Sequence, residues 1–192
     1  GVVRVHPDVR KIMKILGEDG WIAASFPEKW GGDDMSETLL HAVNFIFAAA
    51  NYSGSVYSNL TTGAARLIYT FGSASLKDIY LPPMLEGKWQ GTMAVTEPDA
   101  GSYLGDLTTM ATALEDGSYS ICGEKIFISA GDHDGVDNVV HLMLARMVTS
   151  PPGVKGISLF VVPKRRLDEA GNLVDNDIVV NQIFHKMGYR GA

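Results

Sequence analysis

The sequence has little cysteine, no excess of basic charge and no long apolar run. Cys122 is the only cysteine among 192 residues, which excludes an internal disulfide and leads us to expect a reducing, cytoplasmic location. The formal net charge is −6, which argues against general nucleic-acid binding because phosphate backbones need a basic surface. No apolar run approaches the roughly 20 residues that span a bilayer.

The beginning of the chain lacks two further features. Residues 1–10 have no long apolar core of the kind that a signal peptide carries, and residue 1 is a glycine instead of an initiating methionine. We therefore expect a chain that was processed or cut from something larger. A hydrophobic content of 46% with 20% charged residues is typical of a soluble globular protein, and the length suits one large domain or two small ones.

The first half of the chain carries helical periodicity. Apolar residues recur at helical spacing in four stretches. The predicted helices cover residues 8–19, 36–51, about 53–69, and 75 to about 82. The last helix is expected to stop near Pro82 and Pro83, since a helix cannot easily continue through proline. The segment GWIAASFPEKWGG, residues 20–32, is interpreted as a loop whose aromatic residues serve packing and do not contact a ligand.

After Trp89 the pattern changes to the alternation that is typical of strands. The predicted strands cover residues 107–114, 119–122, 125–129, 139–147, 157–163 and 178–184. The polar stretch 165–177 is interpreted as an exposed excursion. Helices first and strands after predict the α+β class. We expect an N-terminal α-helical bundle portion over residues 1–92, followed by a small antiparallel β-barrel or sandwich domain over residues 93–192.

The stretch MAVTEPDAGS, residues 93–102, is the first part of a candidate ligand site. It runs from small apolar residues into a polar turn, in which Thr96 and Ser102 offer hydroxyls and Gly101 has no side chain to obstruct a ligand. A backbone that bends in this way presents several N–H groups in succession. Such a surface suits a flat, polar-edged cofactor or a phosphate.

The stretch KIFISAG, residues 125–131, is the second part of the candidate site. If it forms a strand, Phe127 and Ser129 point to the same face, because side chains alternate along a strand. A ring could then lie against the plane of a ligand, with a hydroxyl near its edge. The residues by themselves leave open the alternative of a polar turn followed by an ordinary core strand.

Other chemically suggestive groups do not form convincing sites. The acidic and histidine side chains of residues 132–134 resemble metal ligands, but adjacent residues on one loop rarely supply a complete shell, so we expect no metal site. Residues 101–105 lack the spacing of a dinucleotide fingerprint, and there is no nucleophile elbow. The basic run 164–166 is interpreted as a solvated strand end in preference to a phosphate contact.

Several segments, taken in order, resemble the acyl-CoA dehydrogenase family. TEPDAGS, preceded by GKWQGTMAV and followed by EKIFISAG, resembles its flavin-binding region. GWIAASFPEKWGG, LTTGAARLIYTFGS, KGISLFVVPK and HKMGYRGA agree with the family in the same order, so the resemblance covers nearly the whole chain. The SAGDHD loop and the long insert before HKMG resemble the branch with larger bacterial members. Some of these act on sulfur-containing substrates such as 3-methylmercaptopropionyl-CoA.

The resemblance implies an activity and a missing part. The helical-then-β order corresponds to the first two domains of the family, and the C-terminal helical domain is expected to be absent. Members remove the α-proton of an acyl-CoA with a carboxylate base while the β-hydrogen passes as hydride to FAD, which yields trans-2-enoyl-CoA. The base usually lies in the C-terminal domain, so we assign no catalytic residue here and expect the fragment alone to be inactive. Glu97, in the TEP motif, resembles a structural position.

The resemblance also implies a set of contacts to FAD and to acyl-CoA. The cofactor-binding residues that it implies are Met93, Val95, Thr96, Gly101, Ser102, Phe127, Ile128 and Ser129. Met93 and Val95 would give main-chain contacts and apolar walls beside the isoalloxazine. Gly101 and Ser102 would meet the pyrophosphate, and Ser102 would also lie near the pantetheine arm of the substrate.

Three further positions carry the implied flavin chemistry or depart from the family. Thr96 would hydrogen-bond the polar edge of the ring. Phe127 stands where a tryptophan often covers one flavin face, and Ser129 stands where a threonine often donates toward N5. A donor there would stabilise the negative charge that grows on the flavin. Tyr103 replaces the aspartate that relatives typically carry after the Gly-Ser pair, which puts the local turn in doubt.

Two alternatives to a dehydrogenase stay open. One is an acyl-CoA oxidase-like flavoenzyme on the same fold, which would differ in the reactivity of its reduced flavin with oxygen. The other is a non-catalytic scaffold or binding module that kept the fold and lost the flavin. For the dehydrogenase, the resemblance implies electron-transferring flavoprotein as the partner and a homo-oligomer in the full-length protein. A hydrophobic surface is expected where the missing domain would dock.

Overall fold

Helices form the first half of the chain, which a computed structural model describes over residues 2–186. They are α1 (Asp8–Glu18), α2 (Glu37–Phe71) and α3 (Ala74–Leu85). Serine side chains cap two of them: Ser36 Oγ accepts the N–H of Leu39 and Ser73 Oγ accepts that of Leu76, at 3.4 and 3.2 Å. Such caps satisfy N–H groups that have no partner within the helix. No helix in the described range is long and apolar enough to cross a membrane.

A kink divides α2 near its middle. The sequence predicts two helices, over 36–51 and about 53–69, and the structure joins them through Asn51, whose φ of −159° and ψ of 95° are not helical. The Asn51 Oδ1 atom accepts the N–H of Gly54 at 2.9 Å. A side-chain acceptor placed three residues before its donor acts as an N-cap, so Asn51 restarts the helix in a new direction.

Helix α3 continues through the two prolines that were expected to end it. Pro82 and Pro83 lie inside the helix, which ends at Leu85. Proline removes a backbone donor and crowds the preceding turn. However, the last turn of α3 places Leu81, Met84 and Leu85 in the core, each 3% exposed or less. Burial of three large apolar side chains outweighs the cost of the prolines, so the predicted stop is wrong.

Strands make up the second half of the described chain. They are β1 (Trp89–Ala94), β2 (Met110–Ala113), β3 (Tyr119–Cys122), β4 (Asn138–Met147), β5 (Ile157–Pro163), β6 (Arg165–Leu167) and β7 (Leu173–Asp175). Strand β4 is central. It pairs in parallel with β1 and then with β2, and antiparallel with β5. Strand β3 extends the sheet beside β2, while β6 and β7 form a separate antiparallel hairpin.

The α+β class is confirmed, but the β half differs from the predicted one in three places. The sheet is mixed, because the β2–β3 hairpin lies between β1 and β4 in the chain and lets β1 run parallel to β4. The stretch 165–177, predicted as an excursion, contains the β6–β7 hairpin. The strand predicted over 178–184 is irregular backbone. Its apolar residues Val179 and Ile183 are more than two-thirds exposed, so this segment has neither a core nor a pairing edge to hold it extended.

The core lies where α2 and α3 pack against β1 and β4. Thr61 of α2 accepts the backbone N–H of Gly91 in β1 at 3.1 Å. A Cβ atom at Gly91 would lie 2.4 Å from the Cβ of Ala64, so the close approach of helix and strand requires glycine there. This contact holds the middle of β1, and the end of the strand at Ala94 leads directly into the candidate site.

Candidate functional site

The first candidate segment lies at the end of β1, where the chain leaves the sheet. Met93 is 38% exposed, whereas Val95 and Thr96 are half-buried. Gly101 and Ser102 are exposed, and a Cβ atom built at Gly101 would meet no atom within 4 Å. The segment therefore presents side chains and open backbone along one accessible edge, as a ligand contact requires.

The second candidate segment does not form the predicted strand. Residues 125–129 are irregular, and Phe127 and Ala130 have positive φ angles of 57° and 49°. Non-glycine residues rarely adopt this left-handed conformation. Strand alternation needs an extended backbone, so the prediction that Phe127 and Ser129 share a strand face is wrong. Phe127 is 50% exposed, while Ile128 and Ser129 are half-buried.

The two segments nevertheless lie side by side. The N–H of Ile126 donates to the carbonyl of Thr96 at 2.9 Å. The Lys125 ammonium donates to the carbonyl of Val95 at 3.1 Å and to Oε1 of Glu97 at 2.8 Å. The structure thus brings together the two stretches that the sequence singles out, through a hydrogen-bonded turn instead of a strand face.

Glu97 is the buried centre of this arrangement. Its side chain is 2% exposed, and its Oε2 accepts the backbone N–H and the hydroxyl of Thr108, both at 2.7 Å. Its Oε1 accepts the N–H and the hydroxyl of Thr109 at 3.1 and 2.5 Å, beside the Lys125 ammonium. Burial alone raises the pKa of Glu97, but the bonds from Lys125, Thr109 and Thr108 outweigh it and lower the pKa to about 2. A carboxylate with this many donors is a structural anchor and a poor base.

An aromatic contact covers part of the second segment. The rings of Phe127 and Phe184 lie 4.7 Å apart with an interplanar angle of 50°. The Lys186 ammonium lies 5.3 Å from the centre of the Phe127 ring. The irregular segment before residue 187 therefore crosses Phe127. The HKMGYRGA motif begins at His185 in the sequence, and residues 187–192 lie outside the described residues.

The acidic and histidine side chains of residues 132–134 point to separate partners. Asp132 pairs with Lys164, and Nε2 of His133 hydrogen-bonds the Gln90 side chain. Asp134 accepts the N–H of Val5 at 3.0 Å. Burial lowers the pKa of His133 to about 4. These side chains fasten the loop to the sheet and to the start of the chain.

Several residues that organise the site carry little signal in the sequence. Lys125 and the Thr108-Thr109 pair define the Glu97 environment, yet nothing in their local pattern separates them from surface polar residues. The signal that could have found them is a charge balance, because a glutamate that becomes buried needs donors, and Lys125 opens the next apolar stretch.

One cleft that the described residues form lies away from this site. It has a volume of about 360 Å³ and is lined by Arg10, Lys14 and Lys88 together with acidic side chains. Arg10 already pairs with Asp137 at 2.8 Å. The candidate site is an open edge and not a closed cavity, so cleft size does not indicate where a ligand binds here.

The exposed groups of the candidate site fit a flavin. The ring of Phe127 is half exposed and offers a flat surface. The open Gly101 allows a ligand to approach the backbone closely. Thr96, Ser102 and Ser129 of the same two segments carry hydroxyls, which can donate to a polar ring edge or a phosphate. The buried carboxylate of Glu97, in the same turn, is paired with the Lys125 ammonium, so its negative charge is compensated.

Family profiles match both halves of the chain. The acyl-CoA dehydrogenase N-terminal domain matches residues 4–88, and the acyl-CoA dehydrogenase middle domain matches residues 92–192. The chain belongs to the acyl-CoA dehydrogenase family. The resemblance of the chain to this family is thereby confirmed.

Named relatives and solved structures agree with the family. The chain is 40% identical over 174 residues, 90% of its length and 30% of the relative, to 3-methylmercaptopropionyl-CoA dehydrogenase of Ruegeria pomeroyi. It is 36% identical over 191 residues, 98% of its length and 31% of the relative, to the broad-specificity linear acyl-CoA dehydrogenase FadE5 of Mycobacterium tuberculosis. The chain thus spans about a third of the length of these relatives. An acyl-CoA dehydrogenase from Bacillus anthracis complexed with FAD matches 81% of this chain and 25% of its own, with 26% identity and a TM-score of 0.67.

Proposed function

We propose that this chain is the N-terminal helical and middle β part of a flavin-dependent acyl-CoA dehydrogenase, which oxidises acyl-CoA to trans-2-enoyl-CoA. The observation that carries the proposal is the direct contact of Val95 and Thr96 with Lys125 and Ile126, in a chain of this family. Lys125 and Ile126 open the segment that contains Ser129. The family-profile matches support a division near residues 89–92, so we propose domains over 1–92 and 93–192.

The residues of the candidate site have separable roles in this proposal. Bound FAD supplies the acceptor for the β-hydrogen of the substrate. Thr96 holds the polar edge of the flavin ring, and Ser129 donates toward the atom on which negative charge grows. Phe127 and the backbone around Met93 form apolar walls that exclude water. Ser102 lies where the pyrophosphate and the pantetheine arm would pass, and Val95, Gly101 and Ile128 provide close backbone contact.

The proton of the substrate must leave to a group outside the described site. Glu97 lies within the first segment, and its five hydrogen bonds leave it without a free acceptor position. We therefore propose that the base is supplied by a part of the protein beyond this chain, and that the chain alone is inactive. Electron-transferring flavoprotein as acceptor, a homo-oligomer and a cytoplasmic location belong to the same proposal.

One observation favours a non-catalytic scaffold as the second candidate. Tyr103 directly follows the Gly-Ser pair, at a position where relatives typically carry aspartate. It is 64% exposed. A neutral, exposed tyrosine ties down the turn less firmly than a carboxylate that accepts backbone N–H groups. If the turn around Ser102 is too mobile to hold a pyrophosphate, the fold persists without flavin.

Flavin titration decides between these functions. The chain, and a natural form extended through the third domain, are titrated with FAD and followed by flavin fluorescence and absorbance. Saturable binding that is lost in Thr96→Ala/Ser129→Ala supports the proposed cradle, and Thr70→Ala/Thr149→Ala is the control because both hydroxyls are exposed and distant in sequence from the site. No flavin in either form contradicts the dehydrogenase and favours the scaffold. Rapid reoxidation of the reduced flavin by oxygen would instead indicate an oxidase.

A further inference from the structure

Lys125 is a buried cation that connects the two candidate segments. Its side chain is 6% exposed, which is rare for lysine. Its ammonium reaches the carbonyl of Val95 and the carboxylate of Glu97, and the N–H of the next residue reaches the carbonyl of Thr96. Three consecutive residues of the first segment are therefore tied to two consecutive residues of the second.

The acceptor of this ion pair is itself fixed. Thr108 and Thr109, just before β2, give Glu97 four hydrogen bonds besides the one from Lys125. These four donors stay on the carboxylate when the lysine is removed, and each of them favours its ionised form. Charges interact strongly in such a buried setting, because little water is present to screen them.

We propose that Lys125 is a positioning residue for the flavin, and the inference rests on the proposed function. It holds the backbone of Val95 and Thr96 at the distance from Ser129 that the polar edge of the ring requires. It also neutralises Glu97 behind that edge. Without Lys125 the carboxylate remains as an uncompensated negative charge next to the cofactor, which opposes the arrival of electrons on the flavin.

The consequence is an effect on affinity and a separate effect on reduction potential. Lys125→Met loses a charge-assisted hydrogen bond, so FAD is expected to bind at least about tenfold more weakly. The midpoint potential of the bound flavin is expected to fall. Lys125→Arg keeps the positive charge and the hydrogen-bond donors, so its FAD affinity and midpoint potential are expected to match those of the unmodified protein. In Lys125→Met/Glu97→Gln the buried charge is gone, so the potential is expected to return toward that of the unmodified protein while the affinity stays reduced.

The experiment uses the complete natural protein with FAD. The dissociation constant is measured by flavin fluorescence, the midpoint potential by reductive titration, and the unfolding temperature by circular dichroism. Arg66→Met is the matched control. Arg66 also makes internal bonds, to Ser25 and Glu37, but it lies in α2, so its loss is expected to lower the unfolding temperature and leave the potential unchanged.

The outcomes separate this inference from the proposed function. FAD bound equally well and at the same potential by the Lys125→Met variant overturns the inference alone. A change in unfolding temperature without a change in potential or affinity also overturns it, because that is what a purely structural pair would give. No flavin on the unmodified protein overturns the proposed function and the inference with it. If Lys125→Met does not fold, the charge-neutral double variant and Lys125→Arg still measure the affinity and the potential.

Discussion

At the scale of single residues, two buried histidines carry chemistry that the flavin site does not use. His133 bonds the Gln90 side chain, and Nδ1 of His141 lies 2.7 Å from the Thr92 hydroxyl. Nε2 of His141 has no hydrogen-bond partner among the described residues. Burial lowers the pKa of both His133 and His141 to about 4. Both rings are therefore neutral in the folded protein at neutral pH, and folding disfavours their protonation.

The histidines predict a loss of stability in mild acid. Since their folded pKa values lie near 4 and the unfolded value is about 6.5, the unfolded chain takes up protons first as the pH falls. The two neutral histidines contribute fully to the free energy of unfolding above pH 6.5. Between pH 6.5 and pH 4, the contribution of each histidine falls by up to about 1.4 kcal/mol per pH unit. The depressed pKa of Glu97 adds a loss only below its ordinary value of 4.5, as the pH falls toward 2.

Urea unfolding at a series of pH values from 7.5 to 4 measures this dependence. His141→Gln is expected to remove about half of the slope between pH 6.5 and 4, because one of two titrating groups is gone. His41→Gln is the control, since His41 is exposed on α2. An unchanged slope in His141→Gln would show that this ring is already charged in the folded protein.

At the scale of elements, the closeness of α2 and β1 predicts opposite effects for two glycines. Gly91→Ala places a Cβ 2.4 Å from Ala64 and 2.7 Å from Met84, so overpacking is expected to cost about 1–3 kcal/mol of unfolding free energy. Gly63→Ala, one residue before Ala64 on α2, meets nothing within 4 Å and is expected to gain about 0.5–1 kcal/mol from helix propensity. Urea unfolding of the two variants measures both signs. Equal effects would contradict the packing described for β1.

Helices and strands could be predicted from the sequence where the spacing of apolar residues along the chain reflects the element that they form. The strands around 139–147 and 157–163 are confirmed, because their apolar residues lie in the core or pack against it. The strand around 119–122 is mostly exposed and is confirmed through its pairing with β2. The helices of the first half are confirmed as helices. Residues 125–129 look equally apolar, yet Lys125 and Ile126 bond to the turn at Thr96 in place of a neighbouring strand. That competition is a tertiary contact, which no local pattern contains.

The same distinction holds for the candidate site. Its two segments can be recognised in the sequence, because turn-forming residues and family motifs are patterns of neighbouring residues. The anchor that joins them, from Lys125 through Glu97 to Thr109, spans residues far apart in the chain. The burial of Glu97 and Lys125 emerges only once the sheet brings β2 beside the turn, so their importance could not be predicted from composition.

At the scale of the whole molecule, the first half of α2 leaves an apolar stripe uncovered. The exposed side chains repeat with helical spacing along one face, and the large ones are Leu39, Phe45 and Ile46, each more than half exposed. The opposite face packs inward, with Leu40 at 4% exposure and Phe47 against the Trp21 ring at 5.5 Å. A continuous exposed apolar face of this kind favours association, whereas single exposed apolar residues do not.

We therefore expect the isolated chain to self-associate through this face in a concentration-dependent way. Phe45→Ser/Ile46→Ser removes the two most exposed side chains at the centre of the stripe and is expected to shift the chain to a monomer in sedimentation velocity measurements. Leu114→Ser/Val148→Ser is the control, because these residues are exposed singly, beyond the ends of β2 and β4. A chain that stays monomeric at high concentration would contradict the prediction, because the exposed apolar stripe would then not drive self-association. Association that persists in Phe45→Ser/Ile46→Ser and disappears in Leu114→Ser/Val148→Ser would place the contact on the sheet.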